Sequence, residues 1–340
     1  MRIRSLSLPP SVAAVLLLLA GPAPAVSFDW VAIGDPGNGC DVQSQGCFGS
    51  VDREFSISRT EVTNAQYAAF LSAVAGDDPN DLYSASMDSS AAGGITRNGS
   101  PGSYSYDVKV GFADLPVTYI SFWDGLRFAN WLHNGQPTGP QGSATTEDGA
   151  YTLTQQGIDA NTISRNAGSV FVMPNEDEWY KAAYYDALST SYFDYPAGSN
   201  LPTLCASPGA LPNTANCGGA HGSLTGVGSY TESASPYGTF DQGGNVWEWI
   251  ETINGVNRVL RGGSYDDNSS TSPLGQHNLV ALRRFMNEPG EEDFSPLGVI
   301  GFRVAMVPEP GTGLLVAAGV LVLGAARRRR GGAGRSRRMQ

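Results

Sequence analysis

Charge is scarce in this 340-residue chain. Asp, Glu, Lys and Arg make up 16% of it, whereas Gly and Pro number 43 and 21. That balance argues against a helical bundle or a disordered chain and for a loop-rich globular domain, or two smaller ones. Histidine is nearly missing. His133, His221 and His277 are scattered, and none lies near a cysteine pair, so no zinc framework is visible. Cysteine is absent after Cys217. Internal repeats and coiled-coil heptads are absent too. Basic residues are the scarcest resource of the main body. Nine of the 21 Lys and Arg lie in residues 1–25 and 311–340, which carry no acids; the rest holds 12 against 32 acidic residues, a net charge of −20. Such a body repels nucleic acid and anionic membrane surfaces and suits cations.

The two ends read as processing segments. Arg2 and Arg4 precede an apolar centre, Val12 to Ala20, and the A-x-A site Ala23-Pro24-Ala25. This is the layout of a secretory signal peptide over residues 1–25, with a retained anchor as the alternative. At the other end Val307-Pro308-Glu309-Pro310 precedes the apolar run Gly311 to Ala326 and the cluster Arg327 to Arg330. The run falls slightly short of the ~20 residues of a comfortable membrane-spanning helix. The arginines mark the cytoplasmic side. This three-part tail, residues 307–340, resembles the PEP-CTERM sorting signal of Gram-negative bacteria, which implies an exosortase-type enzyme as partner. An ordinary tail anchor is the alternative. Either reading places the body, residues 26–306, outside the cytoplasm, on the cell surface or beyond.

In that oxidising setting an even cysteine count implies disulfides. The four cysteines form two local pairs, Cys40/Cys47 and Cys205/Cys217. Three pairings are possible, and the local one is favoured because each bridge would staple a Gly-rich loop.

Along the body, Phe28 to Ile33 and Arg53 to Ser58 alternate as strands do. Thr63 with Gln66 fits a capping box, followed by Tyr67, Phe70, Leu71 and Val74 on one helical face. Ser121 and Asp124 cap a second helix, with Phe122, Leu126 and Ala129 inward. Asn175 and Glu178 form a second capping box ahead of Trp179, Ala182 and Ala183. Between these lie polar, Gly-rich connections: Asp77 to Asp114, Gly135 to Gly168 with Tyr151 to Thr154 as a possible strand, and Tyr192 to Gly228.

The stretch Asp241 to Trp249, DQGGNVWEW, is the candidate centre. Glu248 stands between two tryptophans, and a buried carboxylate must be paired, hydrogen-bonded or bound to a metal. Gly243 and Gly244 permit unusual backbone shapes. Carbonyls and one carboxylate around a tight turn suit Ca2+. The structural alternative is that Asn245 and Glu248 satisfy loop N–H groups.

Five stretches, EVTNAQYAAFL, LPVTYISFWDGLRFANWL, MPNEDEWYKAA, GNVWEW with RGGSY, and GFRVA, occur in this order between Trp30 and Met306. Together they resemble the sulfatase-modifying factor family, the formylglycine-generating enzyme (FGE) domain. The resemblance implies an α+β fold of the C-type-lectin-like type, loop-rich and low in regular secondary structure, with structural calcium. A calcium would be held by the backbone oxygens of Gly243, Gly244 and Val246 and by the Glu248 side chain. A second family calcium would fall near Asn213 to Ser223, where the expected acidic side chain is missing. Family members that oxidise a sulfatase cysteine to formylglycine use O2 and copper on two thiols after the GGS motif. Asp267 and Ser272 stand at those places. Carboxylate and hydroxyl oxygens do not replace the soft thiolates that Cu(I) selects, so no copper and no catalytic residue is expected.

Arg261 and Arg303 lie in the family motifs, and Arg283 and Arg284 between them. Two readings stand. In one the arginines knit loops through bidentate carboxylate pairs. In the other Arg261, Tyr265, Asp266, Asp267, Arg283, Arg284 and Arg303 line a surface that binds a glycan or protein ligand. The function expected is an exported, non-catalytic FGE-like binding or scaffold domain stabilised by calcium. The competing function is the family oxidoreductase.

Overall fold

A computed structural model describes residues 25–266, 285–290 and 300–308. Asp267, Ser272, His277, Arg283, Arg284, residues 1–24 of the expected signal segment 1–25 and the apolar run 311–326 lie outside the described residues. Among those described, no helix is long and apolar enough to cross a membrane.

The fold is α+β, with small sheets around three helices that the capping residues delimit. Helix Asn64–Val74 starts at Thr63, whose side chain accepts the Gln66 N–H while the Gln66 side chain returns to the Thr63 N–H. Helix Phe122–His133 starts the same way at Ser121 with Asp124, and helix Glu176–Tyr184 at Asn175 with Glu178. The boxes at Thr63 and Asn175 were expected from spacing; at Ser121 a cap was expected, and the reciprocal box is more than the sequence showed. Each satisfies N–H groups that a helix start leaves without partners.

The middle helix is buried on every side from Phe122 to Leu132, not along one stripe alone. Its polar positions are therefore paired inside: Arg127 with Glu147, and Asn130 with the carbonyls of Thr146 and Tyr151. Gly125 keeps this approach close: a Cβ would lie 3.1 Å from the Met173 sulfur, so that side chain would have to give by a few tenths of an ångström. Tyr67, Phe70, Phe128, Trp131 and Phe302 form the aromatic heart, with several ring pairs at 5.3 Å. Truncating such a buried ring costs about 3–5 kcal/mol.

One four-stranded antiparallel sheet runs in the order Trp30–Ile33, Phe55–Ser58, Ala305–Met306, Phe171–Val172. Val31, Ile57, Ala305 and Val172 fall in one row across it, and all are buried. The second sheet runs Phe285–Asn287, Asn257–Arg261, Trp247–Asn254, Ile300–Gly301. Its last join is parallel, pairing Trp247 with Ile300 and Glu248 with Gly301. The DQGGNVWEW stretch is thus a turn that feeds a strand, and the two sheets are closed by residues 300–306.

Some connections hold more than the sequence showed. The one from Asp77 to Asp114 carries a short helix, Ser86–Ser89, and a hairpin, Ile95–Asn98 with Ser105–Val108. Tyr151 to Thr154 is not a strand. Tyr151 makes one bridge to Arg165, and Thr154 caps a short helix, Gln155–Asp159. Both local disulfides are present, Cys40–Cys47 across a hairpin and Cys205–Cys217 across the pair Leu204–Cys205/Thr214–Ala215.

Candidate functional site

The Gly243–Gly244 turn sits against the loop of the second disulfide. At Gly244, φ is +91° and a Cβ would lie 2.3 Å from the Asn216 carbonyl oxygen, so only glycine fits. Asn245 follows in the left-handed region, φ +63°, and its side chain knits three loops. Its Oδ1 accepts from Asn216 Nδ2 and from the Thr225 N–H, each at 3.1 Å. Its Nδ2 donates to Glu61 Oε1 at 3.1 Å. The adjoining Asn216 Oδ1 is buried with no hydrogen-bond partner among the described residues.

Glu248 is wholly buried, and Arg303 answers it as a fork. Arg303 Nε donates to Glu248 Oε2 at 2.6 Å and Nη2 to Oε1 at 2.7 Å. Trp179 Nε1 donates to Oε2 at 2.8 Å. Arg303 also donates to the carbonyls of Ser58, Arg59 and Phe240. The carboxylate expected to face a cation is thus already matched by a planar cation.

Two further acids surround this pair, and sequence reasoning missed both. Glu61 stands unremarked at the head of EVTNAQYAAFL, and Asp241 at the head of DQGGNVWEW. The available signal was the charge count, with three acids in apolar motifs against one arginine. Burial, with Asp241 and Glu248 nearby, pushes the Glu61 carboxyl well above the usual range, while Arg303 opposes. Burial raises Asp241 to about 6, against the Gly228 N–H and Arg303, which favour its charged form. Asp241 and Gly243 border a small niche with Tyr230, Ser235, Thr239 and Gln242. Among the described residues, no three His, Cys, Asp or Glu side chains converge as a metal cage.

Of the predicted ligand surface, the described residues place two arginines in the interior. Arg261 and Arg303 are fully buried and cannot present a surface. Arg261 pairs with Glu176 at 2.8 Å and lies over the rings of Phe48 and Tyr180. Both arginines knit loops, the first of the two readings open in the sequence. Tyr265 is nearly buried and Asp266 half-buried, on the rim beside Gly219. Asp267, Arg283 and Arg284 lie outside the described residues.

A loop-rich α+β domain in which a GNVWEW strand, an RGG turn and a GFRV segment meet around one buried ion pair has the build of an FGE-like scaffold. Residues 49–307 match the sulfatase-modifying factor enzyme 1-like domain, and the chain belongs to that family. It is 27% identical to a formylglycine-generating enzyme of Streptomyces coelicolor over 74% of this chain and 78% of that one. It is 31% identical to a hercynine oxygenase of Mycolicibacterium smegmatis, over 27% of this chain and 26% of that one. Among solved structures it resembles CarF, with TM-score 0.51 and 21% identity, covering 83% of this chain and 99% of the other. It also resembles the Treponema denticola variable protein 1, with TM-score 0.53 and 21% identity over 83% and 96%. These two likenesses concern the fold alone.

Proposed function

We propose that this chain is an exported FGE-like domain of lectin-like type that serves as a binding or scaffold module without the family's oxidase chemistry. The observation that supports this is the state of its sulfur. The four cysteines of the sequence are joined in two disulfides, which leaves no thiolate for Cu(I). Alkylation of the unreduced, denatured protein followed by mass spectrometry is expected to label no thiol. Two labelled cysteines, together with tight Cu(I) binding, would overturn the reading.

Export rests on the signal-like segment 1–25 and on the tail 307–340, with an exosortase-type enzyme as the partner proposed for the tail. Cell fractionation with and without residues 307–340 tests it. Retention of the intact protein in the cytoplasm is the contrary result. The ligand class proposed is a glycan or a protein surface, probed by glycan arrays and pull-downs of the intact chain. Silence in both, with the protein folded, counts against binding and leaves a scaffold.

Structural calcium is part of the proposal. The donors it would use are hard oxygens at the Gly243, Gly244 and Val246 backbone with acidic side chains beside them. The acidic side chains of Glu61 and Asp241 buried near Arg303 suit such an ion. Glu248, with both oxygens bonded to Arg303, fits it less well.

The second reading is the formylglycine-generating activity named for the Streptomyces coelicolor relative. O2 consumption in the presence of a thiol peptide and Cu(I) would establish it.

A further inference from the structure

We propose that the niche beside Asp241 receives the ammonium group of a lysine carried by a partner protein, with the leucine-bearing loop of the second disulfide as the rim of that contact. The proposal rests on the binding-module reading and names the partner's chemistry.

The niche asks for hydrogen-bond donors. Six hydroxyl groups line it, those of Thr203, Thr214, Tyr230, Ser233, Ser235 and Thr239. Each already gives its hydrogen to a protein oxygen. Thr203 donates to Asn213 Oδ1 at 3.0 Å, Thr214 to the Leu211 carbonyl at 2.7 Å and Tyr230 to the Ala206 carbonyl at 2.8 Å. Ser233 donates to the Leu211 carbonyl at 3.3 Å. Thr239 donates to Gln242 Oε1, which leaves Ser235 to donate to Thr239 at 2.7 Å. What these groups keep for a guest is lone pairs. Asp241 adds a carboxyl, and the Gly228 N–H and the Glu61 carboxyl take only part of its acceptor capacity. A lining that only accepts rejects an anion, and it half-satisfies a sugar hydroxyl, which must both give and receive. It suits an ammonium group, with three donors and no acceptor. Size agrees. The enclosed part has room for about one or two waters, enough for an ammonium head and too little for a sugar ring.

Charge and the rim point to a protein as the bearer. Residues 193–245, which supply the whole lining, hold no Lys or Arg, against the acids Asp194, Glu232 and Asp241. Such a stretch complements a cation. Beside the niche three leucines face solvent: Leu201 at 73%, Leu204 at 54% and Leu211 at 62% exposed. Single exposed leucines are ordinary. These three gather around one residue, Asn213. Its side chain donates to the Leu201 carbonyl at 3.1 Å, its carbonyl accepts the Leu204 N–H at 2.9 Å, and Leu211 lies two positions before it. Thr203 and Thr214 of the niche wall adjoin the same residues, since Leu204 pairs with Thr214. The Cys205–Cys217 bridge holds this loop. An apolar rim around a polar slot excludes water from the contact at its centre, which is how a protein interface concentrates its binding energy. A free amine has nothing to set on that rim.

The test uses the full chain in EDTA, which keeps divalent ions out of the niche. The probe is the capped tripeptide Leu-Lys-Leu, compared by titration calorimetry with its Nε-acetyl form and with butylammonium alone. The wild type is expected to bind the lysine peptide saturably and at least about tenfold more tightly than either of the others, ~1.4 kcal/mol. Leu204→Ser with Leu211→Ser, both at exposed positions, is expected to bring the peptide down towards butylammonium and to leave butylammonium unchanged. Asp241→Asn is expected to weaken both by at least about tenfold. Should that variant not fold, Ala197→Lys, at a half-exposed wall position, sets the chain's own ammonium in the niche and is expected to block both. Equal binding of the Nε-acetyl peptide, or wild-type affinity in a folded Asp241→Asn or Ala197→Lys variant, overturns the proposal. Butylammonium binding as tight as that of the peptide overturns the protein partner. No binding of any probe overturns the proposal as well, and a glycan-array ligand found beside that silence leaves the binding-module reading standing.

Discussion

Arg303 ties three other segments together through one planar group. Its fork holds Glu248, and its remaining N–H groups reach the carbonyls of Ser58, Arg59 and Phe240. Arg303→Met fills much of the volume but leaves Glu248 buried and alone. The expected cost is ~3–5 kcal/mol, read by urea unfolding. Adding Glu248→Gln to that variant is expected to recover part of it, since the uncompensated charge is gone. A double variant no better than the single one would show that the ion pair is not the cause. A second residue-scale prediction concerns acid. Burial alone would raise the Glu178 carboxyl, but Arg165, seconded by Arg53, holds it below its ordinary value of 4.5. A lowered carboxylate contributes stability that is present above its unfolded pKa and lost as pH falls through the folded one. Wild-type stability is therefore expected to drop below about pH 4.5. Glu178→Gln should start lower and fall less steeply over the same range. Parallel acid profiles would contradict this. The sequence showed these arginines and acids but not their partners. Arg261 finds Glu176 from 85 positions away and Arg303 finds Glu248 from 55, distances over which motif spacing carries no pairing information.

At the scale of elements, what is local was legible. Three helix starts were readable because a capping box closes within four residues, whatever the rest of the chain does. Removing the capping side chains at Ser121, Asn175 or Thr63 with Ala is expected to cost ~0.5–2 kcal/mol each. Ser121 should rank above Thr63. Its hydroxyl also donates to Asp124 at 2.7 Å in a buried setting, whereas the Thr63 box is more open. Thermal unfolding of the three variants orders them, and a Thr63 effect larger than that of Ser121 would refute the burial argument. Strands were less legible. Ile300–Gly301 and Ala305–Met306 are two residues each, too short to show alternation. They exist because a distant strand is waiting for them, as Trp247–Asn254 waits for Ile300. The same reason hid Glu61 and Asp241: each is an ordinary acid until the fold sets them side by side.

For the whole molecule, the disulfides replace regular structure where the fold is loopiest. The Cys205–Cys217 bridge spans 12 positions and stands next to the Gly243–Gly244 turn through Asn216. Replacing both its cysteines by Ala is expected to cost roughly 2–3 kcal/mol. The loss should reach the site, because the Asn216 carbonyl accepts the Asn245 N–H at 2.9 Å. The Cys40–Cys47 bridge closes a shorter hairpin loop, so its removal should cost somewhat less. Denaturant titrations of the two double variants check both the order and the size. Equal or reversed costs would show that loop length is not what sets them.

The seating of Ala305–Met306 between Phe55–Ser58 and Phe171–Val172 has a bearing on timing. Synthesis proceeds from the head, so the first sheet is an arch whose keystone is cut last. Until residue 306 has emerged, Phe55–Ser58 has a neighbour on one side only, and Glu248 has no guanidinium. Such late, far-reaching closure makes for slow assembly. Any pore that threads this chain head first meets it while the arch is still open, and the segment that sets it passes after every other strand of that sheet.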